Sequence, residues 1–548
     1  MNTRLLLPLF ASLSLGAAEP PKDFGPLNTY NAVTMPDGTL ESFHRRALDG
    51  KVHIFRQRST DNGATWSEKE SAHLLPVEPW GGPTPLLSKD GELHFVLTKL
   101  RGEGRKPNVS RFIDLYHMSS THGRTQWTEP QRIYEGYCGS LQGMFQLKSG
   151  RILVPFADWL PNVPSTPPSG PSVTICMYSD DLGKTWKRSE SKLIAPCHDG
   201  FNGANYGACE PVLTQLKDGR VWMLIRTQDG TLYESFSEDN GTGWSDAQPS
   251  RFHSSNSPAF LIRLRDKRLV VFWNNAEHCE RVGKDGVYSG RDALHAAISS
   301  DEGETWRGFR EVYRDPTRNA SPPKDGDRGT AYPHATLADK GKKIYLVSGQ
   351  GSSLRHRFLI DPEWLMETKQ TEDFSKGLDA WHLYKGVGKP ERWWRDRVQG
   401  PQLIPHPDKP DAKVLHIRRP DDNDPDGATW NFPAGTFGKI TLRIKAQEGF
   451  AGGQVSLGDR MFDPCDNTGD KLACHKLELP IKPGKWHELS LDWSGEYCVS
   501  TLDGEILDTA EASFAYPSGL SYLRLRSTAP TKDPAGFLVE SVSVEVKP

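Results

Sequence analysis

Ser59-Thr60-Asp61-Asn62-Gly63-Ala64-Thr65-Trp66, STDNGATW, is the stretch whose reading decides the fold of this 548-residue chain. Nearly the same order of hydroxyl, carboxylate, glycine, threonine and tryptophan returns as SDDLGKTW from Ser179, SEDNGTGW from Ser237 and SSDEGETW from Ser299. A degraded copy runs from Ser119 to Trp127, which places successive copies about sixty residues apart. Each copy has the chemistry of a hairpin turn. The carboxylate (Asp61, Asp181, Asp239, Asp301) accepts backbone N–H bonds inside the loop, the glycine supplies a positive φ, and the tryptophan is expected to bury its ring against the next unit.

A second pattern interleaves with the first: an apolar run, a turn of Asp-Gly type, and another apolar run. It reads MPDGTLESF from Met35, SKDGELHFVL from Ser88, LKSGRILVPF from Leu147, LKDGRVWMLI from Leu216, LRDKRLVVFW from Leu264 and ADKGKKIYLV from Ala338. Asp-Gly between apolar runs is a strong hairpin signal. Inner hairpins alternating with outer turns at this period predict an all-β chain built as a six-bladed β-propeller of four-stranded sheets.

The repeated turns resemble the Asp boxes (BNR repeats) of the sialidase, or neuraminidase, superfamily, over roughly residues 24–365. Such boxes lie on the outer rim of a propeller, and several glycosidases, lyases and binding proteins share them, so the resemblance speaks first to architecture.

Beyond Asp373 the boxes stop and short alternating strands take over, among them Ile440 to Ile444, Trp486 to Trp493 and Phe537 to Val546. Asp373-Phe374-Ser375 through Trp381 resembles the opening of concanavalin-type, lectin-like β-sandwiches, so residues 373–548 are expected to form a second β domain. It would bind carbohydrate or pack structurally against the propeller.

The N-terminus carries Arg4, an apolar run from Leu5 to Leu15 and small residues to Ala18, the order of a signal peptide over residues 1–18. That run is too short to span a bilayer, and no later run is long enough. A secreted or periplasmic protein is the expectation. Net charge of −3 leaves no basic footprint for nucleic acid. Eight cysteines would then meet an oxidising compartment, with Cys465 and Cys474 as the first candidate pair. No C-x-x-C or H-E-x-x-H spacing suggests a metal, and no cofactor is called for.

Two polar residues share one register before their inner turns: Glu210 stands eight positions before Asp218, and Tyr332 eight before Lys340. Strand alternation puts both on one face at similar depth. The resemblance to sialidases implies a role for each. Tyr332 would attack the anomeric carbon, since a neutral phenol meets less repulsion than a carboxylate beside an acidic sugar, and Glu210 would take its proton. Outside the resemblance Tyr332 reads as a core tyrosine and Glu210 as an ion-pair partner.

The segment His44 to Asp49 before the first box is similar to the sialidase stretch that carries an arginine and a mobile-loop aspartate. This maps Asp49 to the acid/base and Arg46 to a substrate arginine, although one residue is missing before the box and Asp49-Gly50 is also a hairpin signal. Arg226 and Arg291 match two arginines of the family's carboxylate clamp; guanidinium groups bind carboxylates bidentately and keep their charge. The family's first arginine has no counterpart, because Asn28-Thr29-Tyr30-Asn31-Ala32 stands in its place. A lost charge-assisted bond is worth about 1.5 to 3 kcal/mol, so another acidic or sulfated sugar competes with sialic acid. His334, two residues from Tyr332, joins Arg46, Arg226 and Arg291 as an anion contact. Trp80, Trp159, Trp273 and His278 are either rim contacts or packing.

The implied activity is a retaining exo-glycosidase acting on glycans. The alternatives are a hydrolase or lyase for another acidic polysaccharide, and a propeller that binds carbohydrate without turnover.

Overall fold

The computed structural model describes residues 18–27, 31–76, 80–104, 107–121, 125–161, 171–197, 207–276, 290–321, 328–387 and 396–547. The run Leu5 to Leu15, Asn28 to Tyr30, His278 and Cys279 lie outside them. Strands, turns and short 3-10 segments account for the regular structure of the described residues.

The inner hairpins close alike. The Leu147 amide donates to the Arg151 carbonyl at 2.8 Å and the Gly150 amide to the Leu147 carbonyl at 3.0 Å, and the same pair of bonds recurs at Met35, Ser88, Leu216 and Leu264. In the Leu264 turn Lys267 stands in the glycine place with φ of 81°. These turns build antiparallel sheets. The first comprises Ala32–Thr34, Leu40–Leu48, Lys51–Ser59 and Glu70–Leu75. The second is built on Leu93–Arg101, the third on Ile152–Trp159, the fourth on Cys209–Gln215 and Val221–Arg226, and the fifth on Phe260–Arg263 and Leu269–Trp273. A sixth sheet holds His334–Ala338, Lys343–Ser348 and His356–Ile360, and its outermost strand is Lys22–Pro26.

The second strand of most sheets is an unbroken apolar run, because both of its faces are covered. Val221, Met223 and Ile225 face Leu153 and Cys176 of the third sheet. Trp222 and Leu224 face Leu269, Val271 and Trp273 of the fifth. The same period of two sends Phe95 and Leu97 to Phe43 and Ile54, and Val96 to Val154 and Phe156. Val270 and Phe272 meet Leu346 and Phe358, and Tyr345 and Val347 meet Ala32 and Leu40. Each sheet therefore packs on its two neighbours and the last packs on the first, a closed propeller. Each buried Val, Leu, Ile, Met or Phe among them contributes about 1.5 to 3 kcal/mol by leaving water.

At one end of the ring sit the repeated turns. In the copy at Ser179 the serine hydroxyl donates to Asp181 at 2.8 Å, and Asp181 accepts from the Thr185 amide at 2.8 Å and the Thr185 hydroxyl at 2.6 Å. These bonds hold Asp181 down to about 2, the Thr185 hydroxyl first. The tryptophans reverse the expected direction. Trp66 reaches back to Tyr345 of the sixth sheet, Trp186 to His117 of the second and Trp306 to Trp222 of the fourth. The preceding unit receives the ring because the box glycine abuts that unit as well: a Cβ on Gly63 would meet Tyr345 at 2.0 Å.

Beyond the 3-10 turn Pro362–Met366, the strand Lys369–Glu372 already pairs with Asp533–Lys547 of a second β unit. Two sheets enclose its core of Trp381, Trp430, Ile440, Leu442, Leu457, Leu523 and Trp493. The two units are joined by buried polar contacts. Glu311 of the fifth sheet accepts from His382 at 2.8 Å and from the Tyr522 hydroxyl at 2.6 Å, and its backbone amide donates to Asn431. Cys465 and Cys474 are both free, contrary to the expected pair. The Cys465 sulfur accepts from the Gly386 amide, while Cys474 belongs to the core between the two sheets.

Candidate active site at the head of the inner strands

Glu210 is the second residue of Cys209–Gln215. Cys209 pairs with Arg226 but Val212 pairs with Leu224, so one extra residue is accommodated between them. That bulge carries Glu210 at φ of 48°, and Tyr332, just ahead of His334–Ala338, has φ of 62°. Both precede a proline, Pro211 and Pro333. Left-handed backbone costs a non-glycine residue on the order of 1 to 3 kcal/mol, and bulges re-aim side chains. The strain is spent turning both side chains toward one guanidinium.

Arg226 is 4 % exposed. Its Nη1 donates to Glu210 Oε2 and lies 3.5 Å from the Tyr332 hydroxyl, while its Nε donates to Asn256 Oδ1 at 2.6 Å. A carboxylate from the fourth sheet and a phenol ahead of the sixth thus meet on one nitrogen. Arg291, just before the third strand of the fifth sheet, places its guanidinium carbon 5.6 Å from the Tyr332 ring centre, within cation–π range. It donates to Gln350 Oε1 at 2.9 Å and to the Asn256 carbonyl. Its own carbonyl accepts from the Thr330 amide at 2.8 Å. This crowding explains Gly329, with φ of 117°, where a Cβ would stand 2.6 Å from the Arg291 carbonyl oxygen.

Arg355 adds a third guanidinium, absent from the sequence reading: it donates to the Tyr332 carbonyl at 3.1 Å. His334 packs at 4.8 Å, tilted by 52°, against Phe260 and is held down to about 3, by burial first and Arg355 second. It is therefore neutral at neutral pH and offers a ring and hydrogen bonds rather than charge. Cys209, beside Glu210, is pushed up to about 12 by burial and stays a thiol.

Asp49 and Gly50, with φ of 50° and 71°, form the two-residue turn joining Leu40–Leu48 to Lys51–Ser59, with Leu48 opposite Lys51. Strand polarity puts this turn at the same end of the ring as Glu210 and Tyr332, since it joins the second and third strands of its sheet. Arg46 and Asp49 are exposed, unlike the buried Glu210–Arg226 pair. Trp80 and Trp273 are packing residues of the inter-sheet cores, and Trp159 stacks at 5.6 Å on Tyr137.

Asn256, Gln350 and Arg355 went unread in the sequence because Asn256 and Arg355 lie in connecting loops and Gln350 in the two-residue strand Gln350–Gly351, none of them within a repeated motif. The shared residue-proline step at Glu210-Pro211 and Tyr332-Pro333 is the signal that would have strengthened the register argument. Among the described residues no three His, Cys, Asp or Glu side chains converge as they would on a metal ion, and no helix is long and apolar enough to cross a membrane.

The sequence family described as BNR repeat-like domain matches residues 49–346. No curated protein matches the chain. Among solved structures, a Trypanosoma rangeli sialidase is similar at 13% identity, covering 94% of this chain and 90% of its own, with a TM-score of 0.40. A protein of unknown function from Dyadobacter fermentans is similar at 18% identity, covering 63% and 98%, with a TM-score of 0.43. A Hadza microbial sialidase is similar at 16% identity, covering 61% and 65%, with a TM-score of 0.43.

Proposed function

The chain belongs to the family described as BNR repeat-like domain, and from that premise we propose that it is a sialidase-like exo-glycosidase that removes a terminal sialic acid, or a related acidic sugar, from glycans. The six sheets of residues 24–365 are read as six blades, residues 373–548 as a lectin-like sandwich, and residues 1–18 as the leader of an exported protein. The observation that carries the reading is the Arg226 guanidinium shared by Glu210 and Tyr332, with Arg291 over the phenol ring.

In the proposed reaction the Tyr332 oxygen attacks the anomeric carbon and Glu210 takes the phenolic proton. The glycosidic C–O bond breaks as Asp49 protonates the leaving oxygen. Asp49 then deprotonates water, which attacks the same carbon, and the phenol leaves with the proton returned from Glu210. Fixed guanidinium charge from Arg226 and Arg291 stabilises the negative charge that develops on the phenol oxygen and holds the sugar carboxylate. Arg46 and His334 complete the pocket wall, and Arg355 supplies positive charge that the Asn28 to Tyr30 stretch does not.

The test is release of free sugar acid from a fluorogenic sialoside, abolished in Tyr332→Phe. Inactivity on sialosides together with ultraviolet absorbance of an unsaturated product on uronate polymers would replace hydrolysis by elimination. Saturable glycan binding without turnover would reduce the protein to a carbohydrate-binding propeller.

A further inference from the structure

The arginine over the phenol is followed in the chain by a buried carboxylate, Asp292, whose two oxygens are gripped from different directions. Oδ1 accepts from Arg328 Nη2 at 3.1 Å and Oδ2 from Arg397 Nη1 at 2.9 Å. Arg328 belongs to the segment that leads through Gly329 to Tyr332. Arg397 belongs to the second unit, on the strand Asp396–Gln399 that pairs with Tyr384–Val387. The Arg397 guanidinium also donates to the Arg318 carbonyl at 2.7 Å and lies 3.9 Å over the Tyr384 ring. Arg318 in turn donates to the carbonyls of Asp379 and Trp381.

The chain of contacts continues toward the phenol. Arg328 Nε lies 3.6 Å from Asp315, Asp315 accepts from the Ser353 hydroxyl at 2.8 Å, and that hydroxyl accepts from the Gly329 amide at 2.8 Å. The Asp315 amide closes the loop on the Asp292 carbonyl at 2.8 Å. Two backbone segments, one bearing Arg291 and the other Tyr332, are thus tied to one carboxylate, and that carboxylate is half-held by the second unit.

We propose that Arg397 is a positioning residue for the site: acting through Asp292, the second unit fixes where Arg291 stands over Tyr332, so the propeller alone does not hold a competent anion pocket. The inference rests on the hydrolase reading for its kinetic consequence, but not for its structural one. A buried carboxylate that loses one of two guanidinium partners must find another or be neutralised, and the backbone that carries it moves. The guanidinium fork matters more than its charge, since one nitrogen serves Asp292 and the Arg318 carbonyl while the plane lies on Tyr384.

The experiment compares full-length wild type, Arg397→Met and Arg397→Lys, each checked for folding by near-ultraviolet circular dichroism. Steady-state kinetics on a fluorogenic sialoside should give a KM raised roughly tenfold to a hundredfold in Arg397→Met with a much smaller change in kcat, the size expected when a hydrogen bond to a charged group is lost. Arg397→Lys should restore little, and added guanidinium ion should recover part of the loss in Arg397→Met. Amide hydrogen exchange at Gly329, Thr330 and Asp315 should quicken in Arg397→Met while the inner strands of the first three sheets keep their protection. Exchange unchanged at those three amides, or an unaltered KM in an active enzyme, overturns the proposal. Should wild type turn over no sialoside, the hydrolase reading fails on its own, and the exchange result still decides whether Arg397 orders this segment.

Discussion

The two ends of the propeller use the same backbone device for opposite purposes. At the rim end, Asn62, Leu182, Asn240 and Glu302 hold positive φ just before a glycine, and each turn satisfies its own aspartate within a few residues. At the head of the inner strands, Glu210 and Tyr332 hold positive φ; Arg226, from the strand paired with that of Glu210, holds the carboxylate, and the same Arg226 with Arg291 of the fifth sheet reaches across the ring to the Tyr332 phenol. The first kind of strain is local, repeated and repaid on the spot. The second is singular and repaid only when distant segments have assembled, which is how backbone strain collects at working sites.

The largest effect should come from breaking the head end. Tyr332→Phe keeps the ring, the backbone and the contact with Arg291, and is expected to lower turnover of a fluorogenic sialoside by about a hundredfold or more, with an unchanged melting temperature. Equal turnover in wild type and Tyr332→Phe would remove the distinction between the two ends. Next in size, Arg291→Lys should raise KM roughly tenfold, because a single ammonium cannot reach both Gln350 and the Asn256 carbonyl while presenting a planar face to the phenol.

At the rim end the outcome should invert. Asp181→Ala removes acceptors for the Ser179 hydroxyl and both Thr185 donors, and is expected to cost about 1 to 2 kcal/mol of stability with kcat/KM untouched, read by urea titration beside kinetics. Smallest of all is the pH term. Asp181 sits near 2 when folded, below its ordinary value near 4, so its contribution is complete above pH 4 and fades as pH falls toward 2. Asp181→Asn should flatten that part of the acid-unfolding curve, and an identical acid midpoint would show that the turn does not couple to unfolding.

The contrast also explains what could be read from the chain alone. The rim turns are legible because the partners of each box aspartate lie within a few residues and the pattern recurs; the inner hairpins are legible for the same reason. Glu210 and Tyr332 emerged from the register those turns impose. Asn256, Gln350 and Arg355 did not, because their partners are remote in sequence and no period marks them. The direction of the tryptophan rings was misjudged for a related reason: a turn specifies its own shape, whereas the face it lies on is decided by the neighbouring sheet. Cys465 and Cys474 looked like a pair by spacing, but spacing says nothing about which side of a sandwich each sulfur enters.

The strand Lys22–Pro26 completes a sheet whose other members begin more than three hundred residues later, as in the pairing of Lys22 with Leu359. During synthesis this early segment therefore emerges long before its partner and must wait, unzipped, while five sheets form behind it. Closure of the ring therefore depends on this late pairing, and a bulky fusion placed against Lys22 is expected to slow refolding, read by fluorescence, while leaving Glu210, Arg226 and Tyr332 unaltered.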